Sequence, residues 1–247
     1  MQTTTEFQLE YSVVDGDTLP CAAILVAAGN ATRMGGEKQF LSVLGIPVLA
    51  RTMLAFEQCD AVRDIVVVAR DKDIPEVQVL ADAYGISKLT AIVAGGKERQ
   101  DSVENGLQAV ASDVVYVAIH DGARPLITPE LIHKVIEKAH INGAAAPGVL
   151  VKDTIKQADE DKRILRTVPR SDLYAIQTPQ VFDRAIYSEA LAIAKANSLA
   201  VTDDCMLCES AGFPVKITEG SYRNIKITTQ EDVAFAEVLL RQEEQND

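Results

Sequence analysis

The sequence predicts an α/β fold with a doubly wound, mostly parallel sheet. The first observation is a series of apolar runs that are continuous rather than alternating, as expected for strands covered on both faces. These runs are AAILVAA (22–28), DIVVVAR (64–70), LTAIVAG (89–95) and DVVYVAIH (113–120). The second observation is that amphipathic helical patterns separate the runs. Because strands and helices alternate, the segments form βαβ units, in which the strands are parallel.

Apolar residues spaced three or four apart predict the helices between these strands. The three patterns are Leu49, Met53 and Phe56; Val77, Leu80 and Tyr84; and Val103, Leu107 and Val110. In the next helix Thr128 can cap the first turn, Pro129 suits the first helical position, and the NG pair at 142–143 ends the helix. The apolar run AAAPGVLV (144–151) then predicts a further strand.

The segment after this strand breaks the alternation. Residues 152–170, KDTIKQADEDKRILRTVPR, contain two β-prone pieces around the turn-like ADED, and they are too charged for the inside of a sheet. We predict a projecting β-hairpin arm over about 152–175. A solvated surface loop is the alternative interpretation.

The remaining segments complete the domain. They predict a helix around 183–197, a short helix beginning at TDD (202–204), strands near FPVKITEG (213–220) and NIKITT (224–229), and a last helix over 229–243. Thr228 and Glu231 have the spacing of a capping box at the start of this last helix. Residues 1–20 are then an N-terminal extension, expected to be partly disordered, and residues 21–247 form one domain.

The composition argues against several classes of protein. The chain has 24 Lys+Arg against 36 Asp+Glu, a net charge of −12, whereas a general binder of duplex nucleic acid needs a broad basic surface. No apolar run is long enough to span a membrane and the N-terminus is polar, so we expect a cytoplasmic protein without nucleic-acid or membrane partners. Cys205 and Cys208 form a C-x-x-C pair without a second pair or histidines nearby, which favours ordinary helix cysteines over a zinc site.

The loop after the first strand, AAGNATRMGGEKQF (27–40), carries two cations in this acidic chain. Backbone N–H groups from Gly29 onward can face an anion, and Arg33 and Lys38 can bind phosphate oxygens. The loop lacks the glycines of a dinucleotide-binding fingerprint, and GEKQ stands where a Walker loop would end in G-K-[ST]. The loop alone therefore predicts either a phosphate-binding loop or an ordinary surface loop.

A second strand end carries the segment IHDGARP (119–125). Ligands of open α/β sheets bind beyond the carboxyl ends of the strands, so these polar residues are candidates for a site. Asp121 could hold a hydroxyl group or Mg2+, and Arg124 could bind a phosphate or pair with Asp121. We predict that His120 is a hydrogen-bonded residue at the edge of the core rather than a base.

Two further features belong to the same candidate site. In AGGKERQDSVENGL (94–107), two glycines end a strand and Asp101 or Ser102 can cap the next helix, which leaves backbone donors for a base edge or a sugar. Lys226 stands between Ile225 and Ile227 in a predicted strand, so its side chain points away from theirs, toward solvent or toward the ligand cleft.

In this order, the segments resemble the family of 2-C-methyl-D-erythritol 4-phosphate cytidylyltransferases of the non-mevalonate isoprenoid pathway. The resemblance covers residues 21 to about 241 and rests on AAGNATRMGGEKQF, GGKERQDSV, HDGARP, VKDTIK, TVPR, QTPQVF, TDD and NIKITT. It implies a Rossmann-like nucleotidyltransferase sheet and a homodimer in which the arm of one subunit completes the site of the other. Glu37 replaces the proline that often precedes the loop lysine, which predicts a more mobile empty loop. Lys97 replaces a residue that is acidic in some members, and we assign it no role.

The resemblance also implies a reaction in which the 4-phosphate of the substrate attacks the α-phosphorus of CTP and pyrophosphate leaves. Because negative charge accumulates on the phosphates, this reaction needs cations rather than a nucleophilic side chain. The implied catalytic residues are Arg33, Lys38, Lys226 and, acting in trans, Arg170. The implied substrate contacts are Ala27, Ala28, Gly29, Gly96 and Ser102 at the nucleotide, together with Asp121, Arg124, Thr154 and Thr178. Mg2+ is expected mainly on the CTP phosphates, with Asp121 as a candidate ligand.

Two other functions compete with this interpretation. A ribitol-5-phosphate cytidylyltransferase would share the fold and the chemistry, but HDGARP, VKDTIK and TVPR are more similar to the methylerythritol branch. A non-catalytic nucleotide-binding module would have no reason to retain Arg33, Lys38, Arg170 and Lys226 together.

Overall fold

The computed structural model of the protein describes residues 20–29 and 38–244. The strands are β1 (Cys21–Val26), β2 (Ser42–Val43), β3 (Ile46–Pro47), β4 (Val62–Ala69), β5 (Leu89–Ala94), β6 (Tyr116–Asp121), β7 (Ala144–Leu150), β8 (Ile155–Ala158), β9 (Ile164–Val168), β10 (Tyr174–Ile176), β11 (Gln180–Asp183) and β12 (Lys216–Glu219). The helices are α1 (Val48–Glu57), α2 (Ile74–Ala83), α3 (Arg99–Ala109), α4 (Pro129–Asn142), α5 (Arg184–Ala196), α6 (Asp204–Ser210) and α7 (Gln230–Glu244). Short 3-10 turns cover Lys38–Phe40 and Asp71–Asp73.

The central part of the main sheet is parallel, in the order β6, β1, β4, β5. The chain runs outward from β1 to β4 and β5 and then returns to place β6 on the other side of β1. Strand order therefore reverses between β1 and β6, where Val26 pairs with Asp121. The predicted doubly wound sheet is confirmed, and its switch point is the expected place for a ligand.

The other half of the sheet is mixed. β11 is antiparallel to both β6 and β7, and β10 is antiparallel to β7. β12 pairs with β7 in the parallel direction. Strand β12 confirms the prediction near FPVKITEG, whereas β10 and β11 were not predicted as strands.

Helices cover both faces of the sheet because successive side chains of each strand point to opposite sides. On one face, Ala23 and Leu25 pack in a cluster with the apolar residues of α1, α2 and α4. On the other face, Ala22 and Ile24 pack with those of α3, α5 and α6. Across the described part of the chain, no helix combines the length and the apolar character needed to cross a bilayer.

Helix α3 approaches the sheet unusually closely. A Cβ atom on Gly106 would lie 2.5 Å from Cγ2 of Ile24 and 2.9 Å from Cγ2 of Val68, both of which are sheet residues. Such distances are far below van der Waals contact, so only glycine fits. The close packing fixes the axis of α3 and therefore the position of its first turn at the switch point.

The predicted hairpin arm forms. β8 and β9 pair with each other as a separate two-stranded sheet, from Ile155 opposite Val168 to Ala158 opposite Ile164. The side chains of Ile164 and Leu165 are 65% and 61% exposed, which is unusual for residues of this size in a strand. The hairpin is confirmed against the loop alternative, and its place at a subunit interface stays a prediction.

Three predictions about the segments near the two ends of the chain are either wrong or lie outside the described residues. NIKITT is not a strand: the N–H of Ile227 donates to the carbonyl of Ala123 in a loop contact rather than in a ladder. At the start of α7, Asp232 rather than Glu231 accepts bonds from Thr228, because the carboxylate one residue further on reaches both its N–H and its hydroxyl. The predicted extension lies outside the described residues except for its last residue.

Candidate active site

A cleft of about 250 Å³ opens beyond the carboxyl ends of β1 and β6. Among the predicted site residues, those that line it are Ala27, Ala28, Gly29, Gly96, Ser102, Asp121 and Lys226. They come from four separate segments of the sequence, which the sheet and the loop after β12 bring together. The cleft therefore lies where the strand order predicts a ligand.

Two loops meet at the base of the cleft. The N–H of Ala27 donates to the carbonyl of Val68 at 2.7 Å, and the N–H of Gly95 donates to that of Ala69 at 2.8 Å. A Cβ atom on Gly95 would lie only 2.4 Å from Cβ of Ala28. Glycine is therefore required for the loop after β5 to lie against the loop after β1.

The first turn of α3 points at the cleft. Glu98 and Asp101 form a capping box, in which each side chain accepts a bond from the other's backbone N–H. The hydroxyl of Ser102 accepts from the N–H of Gly96 and donates to the carbonyl of Glu98, both at 3.0 Å. The predicted cap at Asp101 or Ser102 is wrong in position: Glu98 is the N-cap, Asp101 takes part as the third helical residue of the capping box, and Ser102 shapes the loop on which Gly96 lies. A helix N-terminus in this position favours an anion.

Asp121 is the negative centre of the site. Its Oδ2 atom lies 3.0 Å from Nζ of Lys226 and 3.3 Å from Nε of Arg124. Burial alone would raise the pKa of Asp121, but Lys226, Arg124 and Arg99 hold the pKa of this carboxyl at about 2. The carboxylate is therefore ionised at neutral pH and orients both of its cationic partners.

Arg124 has a structural role here. Besides Asp121, its guanidinium Nη1 donates to the carbonyl of Asn224 at 2.7 Å, and the side chain is 12% exposed. It lies behind the cleft wall rather than among the lining residues. The ion pair that the sequence left open is thus present, and a contact between Arg124 and substrate stays a prediction.

His120 and Thr178 also lie beneath the cleft. The Thr178 hydroxyl accepts the N–H of Asp121 at 3.1 Å and lies 2.9 Å from Nδ1 of His120. Burial lowers the pKa of His120 to about 3, so the ring is neutral at physiological pH. The predicted core-edge role of His120 is confirmed. Thr178 is 4% exposed and supports the backbone of Asp121, while its predicted substrate contact is untested.

Sequence reasoning missed Arg99, which lines the cleft at the first position of α3. Its Nη1 atom lies 2.5 Å from Oδ2 of Asp204, whose other oxygen accepts the hydroxyl of Tyr187 at 2.8 Å. Asp204 is almost fully buried at the start of α6. The sequence did offer one signal for this ion pair. Arg99 in GGKERQDSV and Asp204 in TDD are charges of opposite sign, and neither had an assigned role.

A second missed residue, Gln39, connects the first loop to the domain. Gln39 is buried, lines the cleft, and donates from Nε2 to Oδ2 of Asp73 at 3.0 Å. This bond fixes the chain immediately after Lys38. Arg33 and the side chain of Lys38 lie outside the described residues, so their predicted roles are untested.

The two arm residues of the prediction lie elsewhere. Thr154 and Arg170 are exposed and are not among the residues that line the cleft. Arg170 donates to the carbonyl of Lys152 at the base of the arm. The roles of Thr154 and Arg170 in substrate binding therefore stay predictions.

Acidic side chains, histidines and cysteines are the usual candidates for metal binding and thiol chemistry. In residues 20–29 and 38–244, no three or more His, Cys, Asp or Glu side chains are grouped to hold a metal ion. Cys205 and Cys208 are free and buried in α6, and burial raises the pKa of both thiols. They behave as the ordinary helix cysteines that the sequence predicts.

The fold and the cleft define an enzyme of the nucleotidyltransferase class. Two main-chain loops, a helix N-terminus and Lys226 surround a ligand space at the switch point of a doubly wound sheet. Residues 21–242 match the family described as 2-C-methyl-D-erythritol 4-phosphate cytidylyltransferase. The chain belongs to that family and is a cytidylyltransferase.

Individual relatives agree with this assignment. The chain is 45% identical to the 2-C-methyl-D-erythritol 4-phosphate cytidylyltransferase of Halalkalibacterium halodurans, over 96% of this chain and 99% of the relative. It is 47% identical to the protein of the same name from Pelotomaculum thermopropionicum, over 89% and 94% of the two chains. The crystal structure of 4-diphosphocytidyl-2C-methyl-D-erythritol synthase from Anaerococcus prevotii matches with a TM-score of 0.82 at 32% identity, covering 91% of this chain and 97% of the other.

Proposed function

We propose that this chain transfers the cytidylyl group of CTP to 2-C-methyl-D-erythritol 4-phosphate, in isoprenoid biosynthesis, with Lys226 as a central catalytic cation. The observation that carries the proposal is the contact between Lys226 and the ionised Asp121 on the wall of the cleft. A lysine that is 41% exposed and held on one side by a carboxylate can turn its remaining donors toward phosphate oxygens.

In this reaction an oxygen of the methylerythritol phosphate attacks the α-phosphorus of CTP. The new P–O bond forms as the bond to the β-phosphate oxygen breaks, and pyrophosphate leaves with the electron pair. Lys226 neutralises charge where the two phosphates approach, and Arg33 and Lys38 neutralise the transition state and the leaving pyrophosphate. Such positioned cations act by electrostatic stabilisation and orientation.

The nucleotide is proposed to lie against the main chain of 27–29 and of Gly96. Both segments line the cleft, together with the first turn of α3. Backbone N–H and C=O groups can recognise a base edge without a side chain of their own. This accounts for the scarcity of specific side chains on this part of the wall.

Mg2+ fits this arrangement through the phosphates. The ion commonly binds one or two carboxylates together with substrate phosphates and waters. Both cationic contacts of Asp121 end on Oδ2, so Oδ1 can serve as one such ligand. Bound there, Mg2+ would supply Lewis-acid stabilisation of the triphosphate. The chain's own residues keep the carboxyl group of Asp121 ionised, and the hydroxyl of Thr178 holds the backbone of Asp121 in place.

The arm is proposed to complete the cleft of a second subunit in a homodimer. Thr154 and Arg170 are exposed, while β8 and β9 extend the arm as a sheet of their own. Ile164 and Leu165 present apolar side chains that a partner would cover. In this arrangement Arg170 and Thr154 bind the sugar phosphate of the neighbouring site.

The decisive experiment is to incubate the protein with CTP, Mg2+ and either 2-C-methyl-D-erythritol 4-phosphate or ribitol 5-phosphate and to measure pyrophosphate. We expect rapid release with the methylerythritol substrate and none when Mg2+ is chelated. Faster turnover of ribitol 5-phosphate would assign the chain to the other sugar. CTP binding without consumption of either sugar phosphate would indicate a non-catalytic module.

A further inference from the structure

The QTPQVF segment contains a buried amide that the proposed mechanism does not use. Gln177 follows β10 and is 7% exposed. Its Nε2 donates to the carbonyl of Ser221 at 2.7 Å, and its Oε1 accepts the N–H of Ser221 at 3.2 Å. The side chain therefore pairs with the backbone of residue 221 as a neighbouring strand would.

The backbone of Gln177 is itself well anchored. Its N–H donates to the carbonyl of Pro147 in β7 at 2.8 Å. A Cβ atom on Gly220 would lie 2.6 Å from Oε1 of Gln177 and 3.1 Å from the backbone N of Gly148. Glycine at 220 therefore leaves the space that this amide occupies.

A second set of bonds holds Asn224, two residues before Lys226. The Nε2 atom of Gln177 lies 3.4 Å from the Asn224 carbonyl, which also accepts from Arg124 at 2.7 Å. The side-chain Nδ2 of Asn224 donates to the carbonyl of Thr178 at 2.9 Å. On the other side of Lys226, the N–H of Ile227 donates to the carbonyl of Ala123 at 2.8 Å.

We propose that Gln177 is a positioning residue for Lys226, an inference that rests on the catalytic role of Lys226 proposed above. The segment 221–227 has no strand ladder to fix it, and Lys226 is its contribution to the cleft lining. The side-chain amide of Gln177 makes the hydrogen bonds to the backbone of Ser221 that a neighbouring strand would otherwise make. It also donates to the carbonyl of Asn224. Without it, the chain before Lys226 loses three of its hydrogen bonds, and the ammonium group loses its defined position relative to Asp121.

The test is a double-mutant cycle between Gln177 and Lys226. Gln177→Met keeps the length of the side chain and removes its hydrogen bonds. We expect kcat to fall about 10- to 100-fold, because a misplaced catalytic group typically costs such factors, with KM for CTP within about twofold. In a Lys226→Ala background the same change should reduce kcat by less than about twofold, because Gln177 then has no catalytic group to position.

Gln180→Met is the matched control. Gln180 is also buried in the same motif, at 2% exposure, but its amide donates to Oδ2 of Asp203 and accepts the N–H of Cys205 at α6. Any loss it causes should be the same with Lys226 and with Ala at 226. If Gln177→Met does not fold, Gln177→Glu carries the same test, because its carboxylate keeps the acceptor for Ser221 but cannot donate to the two carbonyls.

Two results would overturn the inference: a kcat within twofold of the parent protein, or an equal loss in both backgrounds, which marks a merely structural residue. The proposed function fails differently. Near-normal turnover of Lys226→Ala alone would remove Lys226 from the mechanism whatever Gln177 does.

Discussion

The ammonium group of Lys226 lies 3.0 Å from the carboxylate of Asp121, although 105 residues separate the two in the sequence. Asp121 in turn is held through its backbone by the hydroxyl of Thr178. The fold itself therefore orders this charge pair. A charge that the fold orders needs less reorganisation in the proposed reaction.

Replacing Lys226 by methionine should lower kcat by about 10²- to 10³-fold, the usual cost of removing one donor that stabilises a transition state. Steady-state pyrophosphate release measures the effect. Lys216→Met is a suitable control, because Lys216 is exposed on β12 and does not line the cleft. Turnover of Lys226→Met within tenfold of the parent protein would contradict the assigned role.

Breaking the pair between Arg99 and Asp204 should destabilise the fold. Arg99→Met leaves a carboxylate that is 3% exposed without its cation, which typically costs about 3 to 5 kcal/mol. Urea unfolding measures the change in free energy. The double variant Arg99→Met/Asp204→Leu should recover much of the loss, because no buried charge remains. A loss below about 1 kcal/mol in Arg99→Met would show that the pair does not support α3 against α6.

His120 should make the protein less stable as the pH falls below about 6.5. Its pKa is about 3 when folded, below the unfolded value, so the unfolded chain binds the proton more readily. Above pH 6.5 His120 does not lower the free energy of unfolding. As the pH falls from 6.5 toward 3, its effect lowers this free energy progressively, by about 2 kcal/mol at pH 5. Urea unfolding at pH 7 and pH 5 should show this loss, and His120→Gln should remove it. An unchanged pH dependence in His120→Gln would exclude this histidine as its source.

If Arg170 acts in trans, two inactive variants should complement each other. In an equal mixture of Arg170→Ala and Lys226→Ala, half of the dimers are mixed, and each contains one intact site. Activity should therefore recover to about one quarter of the parent value after subunit exchange. Exchange is checked by mass-tagging one variant. No recovery in a mixture with proven mixed dimers would place Arg170 in its own subunit's site or outside any site.

The sheet was predictable because its central strands are apolar on both faces. Short continuous runs rich in β-branched residues, such as DIVVVAR, favour strands in the middle of a covered sheet, and β4 confirms this prediction. The position of Asp121 could be predicted as well, since a charge at the end of a buried strand lies where the carboxyl ends of the parallel strands meet. The order of β1 and β6 then determines which other residues it meets.

Other features depend on tertiary contacts that no local pattern encodes. Ile225, Lys226 and Ile227 alternate as in a strand, but no neighbouring strand edge is paired with them, so they remain a loop. Arg99 and Asp204 are likewise 105 positions apart, and each alone resembles an ordinary surface charge. A single charged residue in the sequence does not reveal its partner, because the fold determines which charges lie together.

The independence of the hairpin has a consequence for protein engineering. β8 and β9 share no ladder with the main sheet, whereas the cleft is built from that sheet and its loops. Residues 152–172, which end before β10 begins, can therefore be exchanged between related proteins as a cassette. If the arm binds the sugar phosphate as proposed, such chimaeras would change the choice of acceptor and keep the same donor nucleotide.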